Sequence, residues 1–185
     1  MPTTPYIDLD SVHVPAPGVS PPASWGTTVR DNLEFFARRP GCKVLRSANQ
    51  SIPNGTWTSV AFTAADAFDT DAFHDTSTDP EQIVIPTGLG GWYQLIAVAQ
   101  FAANATGNRA IRARVNGSLI YGGDAVDAAQ FAGALTAVNL VEEVLLAAGD
   151  VLEIQVYHQA GSALNLVAGA SGRVAACSIR LSGLP

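Results

Sequence analysis

Charge is scarce in this sequence: ten basic and sixteen acidic residues make up 14% of 185, where about a quarter is usual. A free-standing monomer needs charge to cover its surface, so the deficit points to an exterior partly covered by other chains. The plainer reading is an Ala- and Gly-rich chain that scores as hydrophobic without being adhesive. Basic clusters are also missing, the longest run being Arg38-Arg39. With a net charge of −6, the chain lacks the Lys/Arg stripe through which proteins grip phosphates, which argues against nucleic acid and anionic membranes as partners. No apolar run is long enough to span a bilayer. The segment Met1 to Asp10 has neither the basic segment nor the apolar run of a secretory signal, so synthesis in the cytosol is expected.

Cysteine is sparse as well. Cys42 and Cys177 fit no metal spacing and no C-x-x-C pair, and buried reduced thiols are expected. Catalytic signatures are wanting: there is no G-x-S-x-G elbow, no phosphate loop and no H-E-x-x-H. Gly88–Gly91 lacks the third glycine and following helix of a dinucleotide site and reads as a turn. His13, His74 and His158 lie far apart, none beside a plausible nucleophile. No enzyme activity and no cofactor are expected.

Three features invite a functional reading and have a simpler one beside it. Asp66, Asp69, Asp71, His74, Asp75 and Asp79 form an acidic stretch that could hold a hard cation. Its spacing matches no EF-hand, and Asp also caps its own turns, so a solvated turn is preferred. Asn49, Asn54, Asn104 and Asn116 each begin an Asn-x-Ser/Thr triplet, read here as turns, not glycan acceptors. Trp25, Trp57, Trp92, Tyr93, Tyr121 and Tyr157 could line a sugar-binding face, although strand aromatics more often serve the core or an interface.

What is present has a clear order. Residues 1–23 carry Pro2, Pro5, Pro15, Pro17, Pro21 and Pro22 with little periodicity, and predict an extended arm. Ser24 is positioned to cap a helix over Trp25–Arg38, where Trp25, Val29, Leu33 and Phe36 form an apolar stripe and Pro40-Gly41 a stop. One helix of this length is marginal alone, so that stripe is assigned to docking on its own head, on other copies or on a larger particle. Residues 1–41 are thus an anchoring segment and residues 42–185 a head. In the head the period changes to two. Strands are predicted over Lys43–Ala48, Thr56–Thr63, Gln82–Pro86, Arg109–Val115, Ser118–Gly122, Val151–His158 and Arg173–Leu181. Trp92–Ala102 is nearly all apolar, as expected of a central strand buried on both faces. Asn116-Gly117 is the strongest hairpin signal. Leu135–Leu146 is predicted as strand: Ala132–Leu146 could also be read as a helix, but local alternation, the surrounding strands and the Ala147–Asp150 turn favour strand. The sum is an all-β jelly roll or sandwich.

Residues 42–184 resemble the jelly-roll head shared by tumour-necrosis-factor ligands and complement-type globular heads. The resemblance is carried by Gly91-Trp92-Tyr93, Asn116-Gly117, Leu146 to Val151, and Gly172 to Leu184. It implies a TNF-like jelly roll that trimerises, with first and last strands paired so that Cys42 and Cys177 come close. There is no collagen-like stalk, so any trimer contacts fall to the head and the amino-terminal segment. The stretches Trp25–Phe36, Phe68–Asp75 and Phe101–Arg109 also look similar to small virion proteins of phages that infect actinobacteria. That implies a trimeric structural component of a bacteriophage virion, a minor tail or capsid decoration protein made in the host cytoplasm and bound to other virion proteins. The alternative is a glycan-binding adhesin head of a tail fibre.

Overall fold

A computed structural model describes residue 20 and residues 23–119, 125–128, 133–168 and 175–184. The chain divides into two compact units, Met1–Pro40 and Gly41–Pro185. In the first, helix α1 spans Ala23–Ala37. It starts ahead of the expected position, so Ser24 lies inside the first turn and not at the cap. Its carbonyl accepts from Thr28 Oγ1 at 3.0 Å. Val29 is half-buried, while Trp25, Leu33 and Phe36 are exposed.

The second unit is built of strands. In order these are β1 (Gly41–Leu45), β2 (Gln50–Ile52), β3 (Thr58–Ser59), β4 (Phe68–Asp69), β5 (Gln82–Val84), β6 (Gly91–Phe101) and β7 (Asn108–Val115). There follow β8 (Ser118–Leu119), β9 (Ala125–Ala128), β10 (Thr136–Leu146), β11 (Val151–His158), β12 (Leu164–Leu166) and β13 (Ala176–Gly183). The segment expected as strand over Leu135–Leu146 is strand, from Thr136 on. The expected strand over Thr56–Thr63 shrinks to Thr58–Ser59, because Val60 and Phe62 turn their N–H groups to Ile154 and Pro80 outside any ladder. The closing strand begins at Ala176; residues 173–174, and 120–122 of the expected return strand, lie outside the described residues.

Two antiparallel sheets form a jelly-roll sandwich. In the first, β6 is flanked along its whole length by β10, Gly91 opposite Leu146 through Phe101 opposite Thr136. On its other side come β13, then β1, then β4, with β12 and β2 continuing past Phe101. First and last strands pair, Gly41 opposite Arg180 through Leu45 opposite Ala176. The second sheet centres on β11 and β7, with β3 and β5 on β11, and β8 and β9 on β7. The alternation expected of Arg109–Val115 holds: Ile111 and Ala113 are buried while Arg112 and Arg114 stand on the other side. The core lies between Tyr93, Leu95, Ala97, Ala99 and Phe101 of one sheet and Ile111, Ala113, Leu152, Ile154 and Val156 of the other. Full burial of each large apolar side chain contributes about 1.5–3 kcal/mol, and this interior is what holds the sheets together.

Candidate self-association face

Period two along β6 buries Tyr93, Leu95 and Ala97 and turns Trp92, Gln94 and Ile96 outward. The expectation of burial on both faces is therefore corrected: among the described residues β6 is covered on one side only. An antiparallel sheet with one solvated face normally shows polar residues there, yet this outward face is largely apolar. Register places Trp92 opposite Leu145 and Ile96 opposite Val141. These four are 42–64% exposed. Val98, Ala137 and Ala176 continue the face and are half-buried.

Polar residues enter this face at Asn139, exposed opposite Val98, at Ser178 and Lys43, and across one whole row. Glu143 on β10, Gln94 on β6 and Arg180 on β13 are mutually in register, with Gly41 on β1 beyond them. Glu143 leans over β6, its Oε1 lying 2.7 Å from Ser182 Oγ. Arg180 points the other way, its guanidinium 4.5 Å from the Phe68 ring centre. Lys43 lies one row further along, opposite Ser178, and is exposed. Among the described residues neither Glu143 nor Arg180 has an ion-pair partner.

The residues singled out in the sequence fall elsewhere. Trp25, Val29, Leu33 and Phe36 belong to the helical unit. Trp57 and Tyr157 do meet, rings 5.3 Å apart, but on the second sheet, with the Arg112 guanidinium 4.1 Å over Trp57. Trp92 stands on the first sheet and Tyr93 is buried, donating its hydroxyl to Leu89 O at 2.6 Å. Tyr121 and His13 lie outside the described residues. The described aromatics of the head thus make no single platform.

The acidic stretch wraps a cavity of about 490 Å³ lined by Asp66, Phe73, His74, Asp75, Asp79 and Val84, among others. Its carboxylates organise their own turns. Asp69 accepts from the backbone N–H groups of Asp71, Phe73 and His74, and Asp75 from Ser77 and Thr78. His74 Nδ1 lies 3.0 Å from Asp66, and Nε2 lies 3.2 Å from Pro80 O. A carbonyl only accepts, so Nε2 carries the hydrogen. Burial pushes the Asp66 carboxyl above its ordinary value, against the lowering influence of His74. Among the described residues no three His, Cys, Asp or Glu side chains are placed to hold a metal ion. His158 is buried, Nε2 on Ile52 O at 2.8 Å and Nδ1 accepting from Ala160 N–H, which makes it a neutral core histidine.

All four Asn-x-Ser/Thr asparagines hold backbone. Their Oδ1 atoms accept from the N–H of Ala168 (Asn49), Gly161 (Asn54), Thr106 (Asn104) and Val151 (Asn116). Cys42 and Cys177 are free, buried and on adjacent strands.

The sandwich is a jelly roll of the complement C1q and TNF type. Solved structures with this fold include the globular domain of zebrafish complement 1qA protein, at TM-score 0.54 and 15% identity, covering 80% of this chain and 100% of that one. Murine APRIL is similar at TM-score 0.53 and 10% identity, covering 77% of this chain and 99% of that one. A second structure of murine APRIL, at pH 8.5, gives TM-score 0.52 and 10% identity over 76% and 98%. No family model matches the chain, and no curated protein matches it.

Proposed function

We propose that this chain is a non-enzymatic structural head that assembles as a homotrimer, burying the outward face of β6 and β10 between copies. The observation that carries this reading is the pair of apolar cross-strand contacts, Trp92–Leu145 and Ile96–Val141, standing half-exposed on an otherwise well-packed sandwich. Covering the remaining surface of each would contribute about 1 kcal/mol per side chain, and three copies multiply the contact. The low charge of the whole chain agrees with such coverage. The number three comes from the sequence resemblance to trimeric heads, and the shared jelly roll is compatible with it.

The setting we propose is a bacteriophage virion, in the tail or as capsid decoration, with α1 docking on neighbouring virion proteins. It rests on the sequence resemblance of Trp25–Phe36 and the head stretches to small phage proteins. A glycan-binding head has less behind it, since Arg112 already covers the face of Trp57 that a sugar ring would need.

Sedimentation of wild type beside Val141→Asp tests the assembly. The variant is expected to sediment as a monomer with an unchanged β-type circular dichroism spectrum. A variant that assembles like wild type would remove this face from the interface.

A further inference from the structure

The polar row is the part of the face that apolar burial leaves unexplained. A carboxylate covered by another protein loses its water, which is costly unless a cation meets it. Glu143 sits over β6, in the middle of the face, with Ser182 Oγ as its hydrogen-bond partner and no cation of its own chain within ion-pair distance among the described residues. Arg180 lies in the same row but two strands away, roughly 10 Å between backbones at the usual strand spacing, and stacks on Phe68 at the opposite flank. The face thus carries its acid on a β10 side chain that reaches across β6 to Ser182, and its bases, Arg180 and Lys43, on β13 and β1.

We infer that, when copies assemble, Glu143 of one copy pairs with Arg180 of the next, so that three such pairs close a ring and fix which flank meets which. This rests on the homotrimer reading above. A cyclic trimer is heterologous: the β10 flank of each copy meets the β13–β1 flank of its neighbour. With the three-fold axis along the strands, each row keeps its height, and the row Glu143–Gln94–Arg180 faces its own equivalent. Acid then meets base at every contact. The apolar rows on either side, Trp92–Leu145 and Ile96–Val141, exclude water from the pair. Apolar contacts tolerate sliding by a row; the ion pair does not, because a one-row slip leaves the Arg180 guanidinium against Val141 or Leu145 of the neighbour and moves Glu143 off it. The row therefore sets register and orientation, while its apolar neighbours supply most of the affinity.

The test is charge reversal in the full chain, read by sedimentation over a range of concentrations for wild type, Glu143→Arg, Arg180→Glu and the double variant. Each single variant places like charges in contact, and the concentration at which the trimer dissociates is expected to rise at least about tenfold. The double variant restores the attraction with its sense reversed and is expected to recover most of that loss. Circular dichroism and the double variant together separate a lost contact from a lost fold. Single variants that dissociate at the wild-type concentration, or a double variant no better than the singles, would overturn the pairing while leaving a wild-type trimer standing. A wild type that is monomeric throughout would overturn the trimer itself, and the pairing with it.

Discussion

Asn116 and Asp150 lock two separate turns together: Asn116 Nδ2 donates to Asp150 Oδ1 at 2.7 Å. Asn116 Oδ1 in turn accepts from Val151 N–H, and Asp150 Oδ2 from Ala147 N–H, at 2.9 and 2.8 Å. The β7–β8 hairpin and the β10–β11 turn are thereby one unit at the end of the sandwich. Asn116 has a φ of 49° and Gly117 of 74°, the left-handed pair that the Asn-Gly dipeptide accepts.

The clean probe at this site is Asn116→Gly, which keeps the left-handed backbone accessible and removes only the side chain. Chemical denaturation should show a loss of about 1–2 kcal/mol. A double-mutant cycle with Asp150→Ala should show coupling of about 1 kcal/mol. Additive losses would mean the Asn116–Asp150 hydrogen bond contributes nothing to stability.

The hairpin was legible because two adjacent residues settle it locally. β7 was legible for a similar reason, since polar and apolar residues alternate over Arg109–Val115. The same parity puts Arg109 inward, and it is indeed buried, its guanidinium donating to the carbonyls of Asn104, Thr106 and Asn108. The one-sided burial of β6 was not legible, because Trp92–Ala102 is apolar at nearly every position of both parities. Composition cannot distinguish a strand covered by its own chain on both sides from one with an apolar outward face. Gln94 and Glu143, each breaking an apolar run at an outward position, were the available signal. Very short strands such as β2, β4 and β12 have too few residues to show a period, and only long-range pairing defines them.

Cys42 lies opposite Ile179, and Cys177 opposite Val44, so the two thiols sit on adjacent strands offset by two residues. Burial raises both thiols far above their ordinary value, which keeps them protonated and unreactive. A thiol reagent should find no reactive group in the native protein and two after denaturation. Finding none after denaturation would mean the pair is oxidised.

Asp75 gives a pH signature. Hydrogen bonds from Ser77 and then Thr78 hold its carboxyl below the usual carboxylate range. A folded-state value below the unfolded one, about 3.9 for Asp, adds stability above that pH, and the gain is lost as the pH falls through the folded value. Asp75→Asn should therefore be less stable than wild type near neutrality, with the gap narrowing on acidification. A gap independent of pH would show that the carboxylate charge is immaterial.

Leu33 and Phe36 are 64% and 50% exposed on α1. If this stripe docks as proposed, replacing both by Ser should leave the β-type circular dichroism spectrum intact while weakening attachment to the particle or the stability of the oligomer. Wild-type behaviour on both counts would leave the anchoring to the head alone.

The central claim is that the outward face of β6 and β10 is covered by further copies of the same chain. Light scattering from the purified full chain at micromolar concentration measures this directly. The account predicts a mass three times that of the 19.2 kDa chain. A stable species at 19.2 kDa under those conditions would contradict it.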